Sequence, residues 1–91
     1  MTPVSWSSTA RDDLARIHGF LHPRSEAFAA RVERRLTSRA ASLSRTPMQG
    51  RSLGGFNRVL SVPDIQYLIY YRLLAGRVVI ASVRHTREDA R

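Results

Sequence analysis

The side chains that could do chemistry are few and mostly cationic. His85 stands near the end of the chain, between Arg84 and Arg87. An imidazole titrates near neutral pH, so His85 suits a general base. The plainer reading is a polar residue at a strand end, bonded to a backbone carbonyl. Arg84 and Arg87 suit contacts to an anionic partner. Arg51 follows Gly50 in a stretch where glycine lets the backbone approach other groups. Either it contacts a partner, or it pairs with a carboxylate such as Asp64 or Glu33. Arg58 alternates with Phe56 and Leu60 on one strand face. Two roles fit it, a buried structural arginine and a binding residue. His18 and His22 lie one helical turn apart, a spacing zinc can use. No third ligand is expected beside them, so no metal site is expected.

These residues need a scaffold, and 91 residues bound it. A chain of this length is expected to form one small domain, residues 1–91, around one modest core. Hydrophobic residues are 43% of the chain and charged residues 24%. Those ordinary globular proportions exclude a disordered polyelectrolyte. The absence of cysteine excludes a disulfide scaffold, a thiolate metal site and a cysteine nucleophile. The 15 basic residues are all arginine, against 7 acidic ones, for a net charge of +8. Such a field draws polyanions: nucleic acid, an acidic protein surface or an acidic peptide. No apolar run approaches the ~20 residues of a membrane span. No secretory signal is visible at the N-terminus, so the cytoplasm is the expected compartment.

Hydrophobic period places the elements. Residues 4–6 are β-branched and aromatic and predict a short strand. Thr9 followed by Asp12 fits a capping box, with Asp12 and Asp13 in the first turn. Ala10, Leu14, Ile17 and Leu21 then fall on one helical face. A second helix should begin near Arg24 or Ser25, presenting Phe28, Val32, Leu36, Ala40 and Leu43, and end before Pro47. The short link makes the two helices an antiparallel hairpin. Arg31, Arg35 and Arg39 form a separate stripe, expected to be solvated. Residues 47–55 predict a loop from their proline and glycine content. The period then becomes two. Strands are expected over 56–62, 67–71 and 78–83, the middle one apolar on both faces and therefore central. Tyr67, Tyr70 and Tyr71 read as core and sheet-face packing, and Trp6 as core or hairpin packing. A charged tail spans 85–91. The order β-α-α-β-β-β is an α+β fold, a helical hairpin packed on a small antiparallel sheet.

With that order, the chain resembles the RelE/ParE toxin superfamily of type II toxin–antitoxin modules, over nearly its whole length. The resemblance rests on Val4-x-Trp6-Ser7, Ala10-x-x-Asp13-Leu14-x-x-Ile17, Pro47-x-x-Gly50-Arg51, Arg58-Val59-Leu60, Tyr67-Leu68-Ile69-Tyr70-Tyr71 and Val79-x-x-x-Val83-x-His85-x-Arg87. The superfamily divides mainly into RelE-like toxins, which cut messenger RNA in the ribosomal A site, and ParE-like toxins, which inhibit DNA gyrase. The RelE-like pattern places basic residues on the strand after the loop, an arginine directly after the next strand's tyrosine, and a base or tyrosine near the C-terminus. Cleavage needs a base for the 2′-hydroxyl, cations for the phosphate and an acid for the leaving oxygen. Arg58, His85 and Arg87 match parts of that set. Leu68 stands where the arginine would, Leu60 is not basic, and no tyrosine follows Tyr71. The ending His85-Thr86-Arg87-Glu88-Asp89 is similar to the ParE-like one.

The resemblance therefore implies a ParE-like toxin that acts by binding gyrase, without cofactor or metal. It is expected to be held in a hetero-oligomer by a cognate antitoxin, with Arg51, Arg58, Arg84, His85 and Arg87 as target or antitoxin contacts. The alternative is a ribosome-dependent, metal-independent endoribonuclease using Arg58, His85 and Arg87 on mRNA.

Overall fold

A computed structural model describes residues 1–88. The chain runs β1 (Val4–Trp6), α1 (Ser8–Leu21), α2 (Glu26–Ser42), β2 (Arg51–Gly54), β3 (Asn57–Val62), β4 (Tyr67–Leu74) and β5 (Arg77–His85). The five strands form one sheet in the order β1-β5-β4-β3-β2. The helical hairpin covers one face, and the architecture is α+β as the periodicity predicts.

Two features of the sheet go beyond the sequence reading. Residues 51–54, expected to be loop, form the edge strand β2, antiparallel to β3 with Arg51 opposite Val59. All four of its residues are exposed, so it carries no apolar alternation that could have signalled a strand. The sheet is also mixed rather than wholly antiparallel. β1 lies parallel to β5, with Val4 opposite Val78 and Trp6 opposite Ile80.

Local signals set the helix starts. Ser7, not Thr9, caps α1, its Oγ accepting from the Ala10 N–H at 3.0 Å. The helix therefore begins two residues earlier than expected and leaves no acid in its first turn. Ser25 caps α2 in the same way through the Phe28 N–H at 3.1 Å. Ser7 also ties the helix start to the sheet, since its N–H and hydroxyl donate to the carbonyls of Ile80 and Ala81. Asp13 continues that edge, accepting the Val83 N–H at 2.8 Å. Beyond Trp6, side chains thus replace β1 as partners for the β5 backbone, which a buried edge requires.

The core joins Ile17 and Leu21 of α1, Val32 and Leu36 of α2, and the inward residues of the strands. Tyr67, Ile69 and Tyr71 on β4 meet Val83 and Ile80 on β5, and Leu60 and Val62 on β3. Each large apolar side chain so buried contributes about 1.5–3 kcal/mol. Phe28 departs from its expected core place and is 40% exposed, while Ala29 is buried in its stead. Trp6 is half-buried against the core. The β4–β5 register shifts between Tyr70 and Tyr71, leaving Ala81 without an opposite residue.

The arginine stripe on α2 is not merely solvated. Arg35 grips Asp64 with Nε at 2.7 Å and Nη2 at 2.9 Å, and Arg31 approaches the same carboxylate at 3.7 Å. Arg39 donates to Gln49 Oε1 at 2.6 Å and to the Ser61 carbonyl at 3.1 Å. Three arginines expected to face water instead tie α2 to the loop before β2, to β3 and to the β3–β4 turn.

Candidate functional site: the open sheet face

Residues opposite one another across a sheet share a face. The helix-covered face takes Tyr67, Ile69 and Tyr71 of β4, so Leu68, Tyr70, Arg72 and Leu74 point to the open face. Their cross-strand partners there are Ser61, Val59 and Asn57 on β3 and Arg84, Ser82, Val79 and Arg77 on β5. Arg51 joins them from β2 through its pairing with Val59. Val59 is 5% exposed although it lies outside the main core. Leu68, Tyr70, Leu74 and Val79 are half-buried. The open face therefore has an apolar centre containing one aromatic ring, rimmed by Arg51, Arg72, Arg77 and Arg84.

No strand contains a carboxylate. The acids among the described residues lie on the helices, in the β3–β4 turn and after β5. Those nearest the sheet are engaged: Asp64 by Arg35, Asp13 by the Val83 N–H, and Glu88 by the His85 N–H at 2.8 Å. The Asp64 carboxyl is held below the usual carboxylate range, first by its hydrogen bond to Arg35 and then by the arginine charges, against an opposing desolvation.

The predicted site residues fall in three places. Arg51 and Arg84 are exposed on the open face. Arg51 pairs with neither Asp64 nor Glu33, since Arg35 takes the first and His18 approaches the second at 3.6 Å. Arg58 faces the helix side, where Nε donates to the Gly50 carbonyl at 3.0 Å and Nη2 to the Met48 carbonyl at 3.3 Å. His85 also lies on the helix side, at the other end of the sheet, edge-on to Tyr67 with ring centroids 5.1 Å apart. Its Nδ1 accepts the Arg87 N–H at 3.1 Å, which leaves the proton of the neutral ring on Nε2. Burial pushes the neighbouring Tyr67 hydroxyl up, with Glu88 adding and Arg16 opposing, so it stays neutral.

Arg58 sits opposite Tyr71 and His85 opposite Tyr67, on strands flanking β4. Four residues along and two strand spacings across put their backbones roughly 16 Å apart. Arg87 is exposed in the turn after β5. The structure thus brings His85 and Arg87 together and holds Arg58 away from both. Of the tail expected over 85–91, residues 89–91 lie outside the described residues.

Arg58 belongs instead to a latch. The Tyr71 hydroxyl donates to the Pro47 carbonyl at 2.7 Å and accepts the Gly50 N–H at 2.9 Å. A Cβ on Gly50 would meet Tyr71 Cε1 and the Val59 carbonyl at 2.7 Å each. Only glycine fits that approach. Tyr71 and Arg58 between them fix residues 47–50 and so set where β2 begins and where Arg51 stands.

Sequence reasoning placed Tyr70 in core or sheet-face packing without assigning it to this site, and it missed Arg72 and Arg77 as face residues and Arg39 and Gln49 as their neighbours. The alternation of β4 carried the signal for Tyr70 and Arg72. Nothing local carried it for Arg39. His18 and His22 stack with centroids 5.0 Å apart, and each approaches a glutamate, His18 Glu33 and His22 Glu26, at 3.6 Å. Among the described residues no group of three or more His, Asp or Glu could hold a metal ion. No helix among the described residues is long and apolar enough to cross a membrane.

A helical hairpin over a mixed five-stranded sheet, with an arginine-rimmed open face, defines a small α+β domain. Comparison with known proteins gives its family. The model of the ParE toxin of type II toxin-antitoxin system, parDE, matches residues 4–90, and the chain belongs to that family. It is 36% identical over 85 residues to Toxin RelE1 of Caulobacter vibrioides, covering 91% of each chain. The fold matches a chain of the chromosomal ParDE TA system from P. aeruginosa with a TM-score of 0.81 at 17% identity, over 93% of this chain and 96% of that one. The chain is a toxin-type member of the RelE/ParE superfamily, and the family implies an antitoxin partner.

Proposed function

We propose that the chain is a ParE-like toxin that inhibits DNA gyrase by binding, in the cytoplasm, and is neutralised in a hetero-oligomer with its cognate antitoxin. The observation that carries this reading is the placement of Arg58. Phosphodiester cleavage needs base, acid and cation around one phosphate. Arg58 is committed to two backbone carbonyls, and its backbone lies roughly 16 Å from that of His85. Leu68 occupies the open-face position between Ser61 and Arg84, where a cleaving member would carry arginine. What remains is a surface suited to binding: an apolar centre, an arginine rim and no strand carboxylate.

The test is plasmid supercoiling by gyrase with the purified protein, with and without the antitoxin encoded beside it. Loss of supercoiling with accumulation of linear DNA, relieved by the antitoxin, is the expected result. Unchanged supercoiling at a dose that stops growth would overturn it. A second reading, ribosome-dependent mRNA cleavage through His85 and Arg87 with Arg58, is favoured by the likeness to Toxin RelE1. It predicts codon-specific cuts in a translating extract and none in naked RNA.

A further inference from the structure

β2 is shorter than the strand it pairs with. It begins at Arg51, opposite Val59, while β3 continues to Val62. The missing stretch leaves a notch at the sheet edge, and Arg39 reaches into it from α2 to take the Ser61 carbonyl. The notch is a cleft of about 290 Å³, walled by Val59, Leu60 and Leu68 and carrying the guanidinium-bearing residues Arg39 and Arg51. Arg39 is held in place by Gln49, whose amide is itself anchored on Ser42 and Thr46. The Arg51 guanidinium has no hydrogen-bond or ion-pair partner among the described residues, and the residue's backbone position is set by its pairing with Val59 and by the Tyr71–Arg58 latch. A pre-organised cation and an unengaged one thus share a small cleft with apolar walls.

We propose that this cleft is the anchor for a single Glu or Asp side chain of an acidic, amphipathic segment of the antitoxin, which then lies over the open sheet face. The inference rests on the antitoxin reading above and deepens it. The carboxylate meets Arg51 and the outer edge of Arg39, and its methylene stem packs on Leu68 and Val59. The apolar residues of the segment cover Tyr70 and Val79, and further acids meet Arg72 and Arg84. Charge complementarity selects this occupant, because the chain is +8 and no strand supplies a carboxylate. An apolar centre with a charged rim is protein-interface anatomy. A single-stranded nucleic acid is usually held by a row of aromatic side chains on which its bases stack, and Tyr70 is the one aromatic residue on this face.

The test uses a labelled amphipathic peptide of glutamate and leucine, followed by anisotropy, against wild type, Arg51→Glu and Arg77→Glu. The two variants have the same net charge, so they lose the general field equally and only the cleft separates them. Thermal melts check that both fold. Arg51→Glu is expected to weaken peptide binding about tenfold more than Arg77→Glu, the scale of one lost charge-assisted contact. Equal losses, or no binding of the peptide by wild type, would overturn the proposal. A single-stranded RNA of matched charge is the second arm. Tighter RNA binding that depends on Arg51 more than on Arg77 would assign the cleft to phosphate and overturn it as well. The readout needs neither toxicity nor gyrase, so gyrase inhibition can fail while this stands, and the reverse.

Discussion

The Tyr71 hydroxyl lies 2.9 Å from the backbone nitrogen of Gly50, a residue 21 positions earlier in the chain. The ring comes from the central strand, is 1% exposed, and reaches past Val59 to the loop before β2. Its oxygen is both donor and acceptor there, so the loop has one position and β2 one starting point.

Gly50→Ala is therefore expected to destabilise the fold by about 1–3 kcal/mol, the usual cost of forcing a group into a packed site. Tyr71→Phe removes the acceptor for a buried N–H and is expected to cost about 1–3 kcal/mol. The two changes act on one contact, so the double variant should cost less than their sum. Urea midpoints of the four proteins measure this, and strict additivity would show that the contact does not hold the loop.

Asp13→Ala should leave the Val83 N–H without its partner at the β5 edge. A loss of about 1–3 kcal/mol is expected. Hydrogen exchange at Val83 should accelerate more than at Ile69, which lies on the central strand. Uniform acceleration across the sheet would instead mark a global effect.

The Arg35–Asp64 bridge makes stability depend on acid pH. The folded Asp64 carboxyl is held below its ordinary value of 3.8. The stabilisation is complete above that unfolded value and is lost as pH falls through the lower folded one. Asp64→Asn should flatten the acid limb of a melting-temperature profile below about pH 4 and leave its slope near neutrality unchanged. An unaltered acid limb would assign the loss to other carboxylates.

His85→Ala should at most weaken growth inhibition under the gyrase reading, as the loss of one binding contact with no proton transferred, and should abolish it under the nuclease reading. It should also cost stability, through the lost Tyr67 contact and the Arg87 N–H. Plating assays with expression checked by immunoblot separate the two. A stable, non-toxic His85→Ala protein would favour the nuclease reading.

The amino-acid order alone carries the α+β class, the helical hairpin, the central place of residues 67–71 and most of the core, because those follow from hydrophobic period along a single element. It also marked Gly50, Arg51, Arg58, Asp13 and His85 as worth attention. It did not reveal what they do. Arg58 and Arg51 are seven residues apart with opposite fates, one spent on the loop carbonyls and one left at the cleft, and sheet pairing alone assigns their faces. β2 escaped notice because an edge strand exposed on every residue has no alternation to read. Arg31, Arg35 and Arg39 looked solvated because their partners, Asp64, Gln49 and Ser61, lie 10 to 33 positions away. Local spacing fixes which residues share a helix face or a strand face. Which faces meet, which charges are consumed by folding, and which remain for a partner are decided only when distant segments pack.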